Sequence, residues 1–295
     1  MNYCCNDGSN DNVEKVIKNF IDKHAVWNIK LLTCPHKGPA AARNSGINIS
    51  QGEIVFFTDD DCIVPATWME EIITIFMNDE HIAGVGGWYK PPAENLRNNI
   101  YIQFHYLLHR FSYGFALDLY RGNAKFFVSN EDQEKRFYPI ITANAAYRKK
   151  ILKKVGGFDE KFPYPAYEDL DLNDRIISSG YELYYLSSYV YDNRFLNMKR
   201  FFKLCSTRAK AHYIYKKNRT KMNHTYIISP WEQLRYFITF IKKSRRYVAD
   251  DFVINNYHIV LAALWFYYGY FIALLATIKD VSARLSFFSP LIKDM

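Results

Sequence analysis

The stretch VFFTDDDCIVP (residues 55–65) places three consecutive carboxylates directly after an apolar run. Residues 55–58 predict a buried β-strand. Asp59, Asp60 and Asp61 follow at its carboxyl end, where open α/β sheets bind their ligands. Three adjacent negative charges repel one another unless solvent or a cation screens them. The stretch therefore predicts either a solvated acidic turn or a cation site.

The first 90 residues alternate between runs typical of helices and of strands. Helices are predicted at Asn12–Lys23, Pro39–Ser50 and Ala66–Asn78, and strands at Ile29–Thr33, Ile54–Thr58 and Ile82–Tyr89. Further along, helices are predicted at Asn95–Phe115 and Tyr167–Ser179, and a strand at Tyr181–Tyr191. This βαβα order predicts a parallel sheet covered by helices.

Composition and charge divide the chain into two regions. The 295 residues are 49% hydrophobic, enough for a sizeable core. Residues 1–192 carry 20 Lys and Arg against 25 Asp and Glu, a net charge of −5, whereas residues 193–249 carry 15 against one, a net charge of +14. A basic, aromatic-rich segment ahead of an apolar stretch favours an anionic membrane surface over nucleic acid as its partner.

The region after residue 192 predicts membrane contact in two ways. A basic amphipathic helix is predicted first, because Lys and Arg fill the positions between a set of residues at helical spacing. That set is Met198, Phe201, Phe202, Cys205, Ala209 and His212. Tyr257–Ile278 has His258 as its one titratable group other than tyrosine, and is long enough to span a bilayer. A helix lying in the interface, or packed on the rest of the protein, is the alternative.

The expected location is the cytoplasmic face of a membrane, as a peripheral protein or with a single C-terminal transmembrane helix. The first residues lack the basic and apolar pattern of a secretory signal. The five cysteines include no C-x-x-C pair, which favours free thiols in a reducing compartment.

Four sequence blocks together resemble one known family. They are NDGSND (Asn6–Asp11), GPAAARNSGINISQGEIVFFTDDDC (Gly38–Cys62), GGFDE (Gly156–Glu160) and EDLDLNDRIISSGY (Glu168–Tyr181). In this order and at this spacing they resemble glycosyltransferase family 2, whose members have the GT-A fold. The resemblance implies an inverting, metal-dependent enzyme that moves a sugar from a nucleotide-sugar to a lipid-linked or polysaccharide acceptor.

The resemblance also implies a fold and a domain division. Residues 1–192 are expected to form the catalytic domain, an α/β domain of GT-A type with a mostly parallel sheet flanked by helices. Residues 193–295 are expected to form a basic and hydrophobic, membrane-associated helical region.

The resemblance assigns roles to five residues around the donor. Asp59 and Asp61 match the D-x-D pair that binds Mg²⁺ or Mn²⁺, with Asp61 favoured as the direct ligand. Asp7 matches the aspartate that holds the nucleotide base, and Arg43 matches a basic residue near the sugar nucleotide. Asp60, between the two metal ligands, is assigned to nucleotide-sugar binding. A plainer interpretation makes Asp7 part of a turn and Arg43 a solvated helix residue.

The acceptor side of the expected site rests on the ED pair. Asp169 matches the catalytic base, with Glu168 beside it. Both also fit a simpler role, because acidic side chains in the first turn of a helix favour the helix dipole. Asn144 falls where members of the family contact the acceptor.

One departure from the family concerns the start of the domain. The family places a strand and a helix before the block that matches Asn6–Asp11, and six residues precede Asp7 here. We therefore expect an N-terminally truncated GT-A domain without its first strand–helix unit. Three alternatives to the glycosyltransferase function stay open. They are a truncated, catalytically inactive protein that binds nucleotide, glycan or a partner, a nucleotidyltransferase on the same kind of sheet, and direct DNA or RNA binding by the basic segment.

Overall fold

The structure is a computed structural model and describes residues 2–103, 105–106, 127–128 and 140–221. The chain divides into two compact units, with the boundary between Phe195 and Leu196. This boundary lies three residues beyond the predicted one.

The first unit alternates strands and helices along the chain. Its strands are β1 (Asn2–Asn6), β2 (Ile29–Thr33), β3 (Ile54–Phe57), β4 (Cys62–Ile63), β5 (Ile82–Lys90), β6 (Phe127–Val128), β7 (Ala145–Arg148) and β8 (Glu182–Asp192). Its helices are α1 (Val13–Lys23), α2 (Pro39–Ile49), α3 (Trp68–Asn78), α4 (Ala93–Asn98), α5 (Lys149–Lys154) and α6 (Glu168–Ser178). Every helix and strand predicted within the first 90 residues is present. β1 was not predicted, because its sequence NYCCN has no β-branched residue.

The strands form two sheets. β1 and β2 pair in parallel as a two-stranded sheet, and the larger sheet has the order β3-β7-β5-β8-β4, with β6 beside β8. β7 is antiparallel to both β3 and β5, and β8 is parallel to β5, so β3, β5 and β8 all point the same way. Their carboxyl ends therefore meet at one edge of the larger sheet.

The prediction of a mostly parallel sheet is wrong for the larger sheet, which is mixed. β7 runs against both neighbours, and β4 runs against β8. The βαβ alternation predicts the direction of strands that are joined by helical crossovers. The alternation does not predict the direction of β4, which is only two residues long. Nor does it predict the direction of β7, because no predicted helical crossover precedes that strand.

Helix α2 contacts both sheets. Ala40 and Ile47 belong to the core cluster of the larger sheet, together with Tyr147 of β7. On the other sheet, Gly46 lies so near β1 that a Cβ there would be 3.1 Å from the sulfur of Cys5. Among the described residues no strand joins the two sheets, so α2 links them by packing. The absence of the first strand–helix unit stays a prediction.

The predicted helix Asn95–Phe115 is broken. α4 ends at Asn98, and Asn99 has extended backbone angles of φ −128° and ψ 106°. Residues 100–103 and 105–106 are again helical, and residues 107–115 lie outside the described part of the chain. The Asn99 side chain accepts from the backbone nitrogens of Tyr101 and Ile102, which is how asparagine starts a new helix.

The described part of the second unit contains the predicted basic helix, α7 (Met198–Lys221). Phe201, Ala211 and Tyr215 form its buried side, whereas Met198 and Phe202 are exposed. The apolar stripe predicted from the sequence is therefore wrong in part. No helix among the described residues is both long and apolar enough to cross a membrane. The predicted span at 257–278 lies outside the described residues.

Candidate active site

The acidic triplet forms a turn at the carboxyl edge of the larger sheet. The backbone nitrogen of Cys62 donates to the carbonyl of Asp59 (3.1 Å), which closes the turn before β4. The backbone nitrogen of Asn193 donates to the carbonyl of Asp61 (2.8 Å). Cys62 of β4 stands opposite Asp192 of β8. The turn is thus held in place by the end of β8.

Two of the three carboxylates can hold one cation. Asp59 and Asp61 each offer an oxygen, and the Cys62 sulfur a third atom, all within 4.8 Å of one another. Burial, reinforced by the nearby carboxylates, raises the pKa of Cys62 to about 12, so its thiol is neutral at physiological pH. Carboxylate oxygens suit Mg²⁺ or Mn²⁺ and a neutral thiol does not. The Asp60 side chain is exposed, and the structure does not test its assignment to nucleotide-sugar binding.

Arg43 of α2 connects this turn to the start of α6. Its Nη1 donates to Glu168 Oε1 (2.6 Å) and its Nη2 to Asp59 Oδ1 (3.3 Å). Its guanidinium carbon lies 5.7 Å from the centre of the Phe158 ring. Arg43 is therefore not a solvated helix residue, because its side chain is only 16% exposed. Burial lowers the pKa of Arg43, but the two carboxylates outweigh that effect and raise it above its ordinary value.

The start of α6 buries several acidic side chains. Glu168 is 2% exposed and Asp169 and Asp171 are each 5% exposed. Ionised carboxylates are rarely buried without partners. Glu168 Oε1 has Arg43, and Asp171 has Arg175 one turn later (2.8 Å). All three also lie in the first helical turn, where the dipole favours negative charge.

Asn44 ties α2 to the GGFDE block. Its amide nitrogen donates to the Phe158 carbonyl (2.9 Å), and its amide oxygen accepts from the Phe158 backbone nitrogen (2.9 Å). Gly157 has φ +68°, and a Cβ there would lie 2.6 Å from the Asn44 oxygen. Glycine is therefore required at this close approach. The adjacent residues Arg43 and Asn44 thus connect α2 to the acidic turn of its own block, to the GGFDE block and to the block that begins at Glu168.

Asp7 lies in the loop after β1, and its carboxylate binds backbone. It accepts from the nitrogens of Lys37 (3.0 Å) and Gly38 (3.0 Å), just before α2. The neighbouring Asn6 accepts from the Ser9 nitrogen (3.0 Å), which shapes the turn before α1. The structure thus supports the turn-forming interpretation of this block. The role of Asp7 toward a nucleotide base stays a prediction.

Two residues of the site were missed by the sequence analysis: Asp192 and Arg194. Asp192, at the end of β8, is 2% exposed, and Arg194 Nε lies 2.6 Å from its Oδ2 and 3.8 Å from Asp61 Oδ2. Burial raises the pKa of Asp61 to about 6, although Arg194 opposes this. Only the pairing of β4 with β8 brings these residues together, and the sequence carries no signal for that pairing.

Asn144 supports the fold from within the core. It is fully buried, accepts from the Trp68 indole nitrogen (2.8 Å) and donates to the carbonyls of Trp88 (3.0 Å) and Ser188 (3.3 Å). These bonds occupy both polar atoms of its amide. The expected contact with an acceptor stays a prediction.

Comparison with protein families gives one match. The family model described as "Glycosyl transferase family 2" matches residues 3–156, just over half of the chain. Two of the four blocks lie wholly within this range, and the third begins at its last residue, Gly156. The fourth block, Glu168–Tyr181, lies beyond the matched range.

Curated relatives are also named as glycosyltransferases. An uncharacterized glycosyltransferase of Haemophilus influenzae is 37% identical over 84 residues, 28% of this chain and 32% of that protein. The probable glycosyltransferase YdaM of Bacillus subtilis is 25% identical over 180 residues, 60% of this chain and 39% of that protein. The pre-mycofactocin glycosyltransferase of Mycobacterium tuberculosis is 31% identical over 61% of this chain and 34% of that protein. The matches thus cover about a third of the length of these relatives.

A solved structure shares the fold. The mannosyltransferase PcManGT from Pyrobaculum calidifontis, in complex with GDP-Man and Mn²⁺, superposes with a TM-score of 0.59. The alignment covers 94% of this chain and 77% of that one, at 12% sequence identity. The similarity shows that the α/β fold of this chain is of GT-A type.

Removing Arg43 is expected to destabilise the first unit, since Glu168 then stays buried without its counter-charge. We expect Arg43→Met to lower the free energy of unfolding by about 3 kcal/mol or more. Arg43→Met combined with Glu168→Gln is expected to cost at least about 1 kcal/mol less than the sum of the two single changes. Urea unfolding at neutral pH measures all three variants.

The exposed pair Glu14 and Lys18, 3.6 Å apart on α1, is the matched control. Its coupling is expected to be much weaker than that of Arg43 and Glu168, because solvent screens an exposed ion pair. Equal coupling in the two pairs would contradict the role given to Arg43.

Proposed function

The chain belongs to glycosyl transferase family 2, and we propose that it acts as an inverting, metal-dependent glycosyltransferase. It moves a sugar from a nucleotide-sugar to a lipid-linked or polysaccharide acceptor at the cytoplasmic face of a membrane. The observation that carries this proposal is the link from Asp59 through Arg43 to Glu168. That link connects the acidic turn to the buried pair Glu168 and Asp169, and this supports a single site with a donor side and an acceptor side.

The acidic turn serves the donor. Asp59 and Asp61 supply the carboxylate oxygens for one Mg²⁺ or Mn²⁺. A bound cation would neutralise the charge that develops on the leaving diphosphate. Asp7, Arg43 and Asp60 stay assigned to the donor side, Asp7 through the base and Arg43 by orienting Asp59. The structure of PcManGT, which shares this fold, is in complex with GDP-Man and Mn²⁺, and this supports a nucleotide-sugar and a divalent cation as the ligands of the site.

Asp169 serves the acceptor. It takes the proton of the acceptor hydroxyl while that oxygen attacks the anomeric carbon and the bond from that carbon to the diphosphate oxygen breaks. Attack from the face opposite the leaving group inverts the anomeric centre, and a single base is sufficient for it. Asp169 lies in the first turn of α6, next to Glu168, which Arg43 binds.

The basic helix α7 supports the proposed membrane contact. Its 24 residues contain nine Lys and Arg and no acidic residue. Four exposed lysines share one face, since their spacing of 4, 7 and 7 residues brings them within about 40° of one another: Lys199, Lys203, Lys210 and Lys217. This lysine stripe lies away from the buried side of the helix. It suits electrostatic binding to anionic lipid rather than insertion.

Turnover tests the proposed activity. We expect the protein with Mn²⁺ to release a nucleoside diphosphate from one member of a panel of UDP- and GDP-sugars, with isolated membranes as acceptor source. Asp169→Asn is expected to slow release about 10²- to 10⁴-fold while nucleotide binding persists. The control Asp22→Asn, on the exposed side of α1, should match the wild type. Nucleotide binding without any release would favour the inactive alternative, and pyrophosphate release would favour a nucleotidyltransferase.

Metal binding is expected to weaken in acid. Because burial raises the pKa of Asp61 to about 6, a proton competes with the cation below that pH. Between about pH 7 and about pH 5 the ionised fraction, and with it the Mn²⁺ affinity, should fall about tenfold. Electron paramagnetic resonance of free Mn²⁺ measures this. Asp59→Asn should bind more weakly and lose affinity at a lower pH than the wild type, because the Asp59 charge contributes to the raised pKa of Asp61. Affinity that does not change with pH would contradict the role of Asp61.

Vesicle binding tests the lysine stripe. We expect the protein to bind phosphatidylserine-containing vesicles and not phosphatidylcholine vesicles, and to dissociate as salt is raised. Changing the four stripe lysines to Gln should weaken binding at least about a hundredfold, at about 1 kcal/mol per lysine. The control changes four exposed lysines of the first unit: Lys15, Lys18, Lys23 and Lys30. An equal loss of vesicle binding in both quadruple variants would contradict the proposal that the lysine stripe binds anionic lipid. Tighter binding to a DNA duplex than to vesicles would contradict it as well.

A further inference from the structure

Arg194, two residues after β8, is held rigidly beside the acidic turn. Its Nε donates to both carboxylate oxygens of Asp192 (2.8 and 2.6 Å) and lies 3.8 Å from Asp61 Oδ2. Its guanidinium carbon lies 5.8 Å from the centre of the Tyr89 ring. Asp192 is itself 2% exposed. Its carboxylate, which anchors Arg194, is therefore fixed by the packing around it.

The hydrogen bonds of the Arg194 side chain use Nε alone. Its two η nitrogens, with four N–H donors, make no hydrogen bond within the described part of the chain. Neither η nitrogen is among the buried atoms of that part that lack a partner, so both remain accessible. Arg43 is the opposite case, because both of its η nitrogens bind carboxylates. The two η nitrogens of Arg194 and their N–H donors, called the guanidinium fork below, therefore lie beside Asp61 and can bind a ligand.

We infer that the η nitrogens of Arg194 bind the diphosphate group of the donor. This inference rests on the proposed function and names a phosphate-binding residue for it. Guanidinium groups bind phosphate through two parallel N–H···O bonds, a geometry that lysine does not offer. A group already fixed by Asp192 and Tyr89 loses little freedom when the anion binds.

The distances allow one phosphate to meet both the fork and the cation. Each η nitrogen lies about 2.3 Å from Nε, two C–N bonds away. The fork is therefore within about 6 Å of Asp61 Oδ2, given the 3.8 Å from Nε. A phosphate oxygen at right angles to the Asp61 oxygen on an octahedral cation lies about 3 Å from it, since each ligand is about 2.1 Å from the metal. The remaining distance of about 3 Å is close to the length of a hydrogen bond, about 2.9 Å.

The competing interpretation is that Arg194 serves only to neutralise Asp192. Lysine distinguishes the two roles. Arg194→Lys keeps a positive charge for Asp192 and loses the fork, whereas Arg194→Gln loses both. A purely structural Arg194 predicts that the lysine variant behaves as wild type. A phosphate-binding Arg194 predicts that both variants bind the anion poorly.

Calorimetric titration with inorganic pyrophosphate and Mn²⁺ tests the inference without knowledge of the nucleotide. We expect Arg194→Lys and Arg194→Gln each to bind pyrophosphate at least about tenfold more weakly than wild type. The control Arg97→Gln, exposed on α4, should bind as wild type does. Thermal melting of Arg194→Lys close to that of wild type verifies that the fold is kept.

The outcomes separate this inference from the proposed function. Wild-type affinity for pyrophosphate in Arg194→Lys, or no pyrophosphate binding by the wild type, would overturn the inference. Titration with UDP and GDP is run beside it. Nucleotide binding that does not depend on Arg194 would overturn the inference and leave the proposed function standing. Pyrophosphate binding that depends on Arg194, with no nucleotide bound, would support the phosphate-binding residue and contradict the proposed function.

Discussion

The guanidinium of Arg43 lies between Asp59, at the turn after β3, and Glu168, the first residue of α6. These carboxylates come from parts of the chain more than 100 residues apart, and each would repel the other without the cation between them. The next residue, Asn44, fixes the GGFDE block by three hydrogen bonds, two with the Phe158 backbone and one to the Glu160 carboxylate. Two adjacent residues of α2 therefore hold together the turn, the loop and the helix from which the site is built.

The site is rich in negative charge, and its cations are placed by the fold. Arg43 balances Asp59 and Glu168, and Arg194 balances Asp192 next to Asp61. Burial still raises the pKa of Asp61, so the protein leaves one carboxylate short of positive charge. A divalent cation would supply that charge, and a diphosphate would then complete the balance. The charge balance of the site therefore links the binding of a metal to the binding of a phosphate group.

Much of the fold follows from the sequence, and the reasons are local. The pattern Pro39–Ser50 predicts α2 because a proline opens it and small residues face the core. The acidic turn is predicted because carboxylates follow an apolar strand. The direction of β7, the break at Asn99 and the buried side of α7 were missed or wrong, since each depends on contacts with residues distant in sequence. Arg194 was missed for the same reason, because only the pairing of β4 with β8 brings it to the turn.

The central claim is that the carboxylates after β3 hold a cation for a nucleotide donor, and thermal unfolding with nucleotides tests it most directly. The protein would be melted with UDP, GDP or CMP, each with and without Mn²⁺, beside an Asp59→Ala/Asp61→Ala variant. Ligand binding to the folded state raises its stability by about 2.7 kcal/mol at a hundredfold excess over Kd. The account predicts a Mn²⁺-dependent rise in melting temperature with one nucleotide that the variant lacks. A rise of the same size in the variant, or none with any nucleotide, would contradict it.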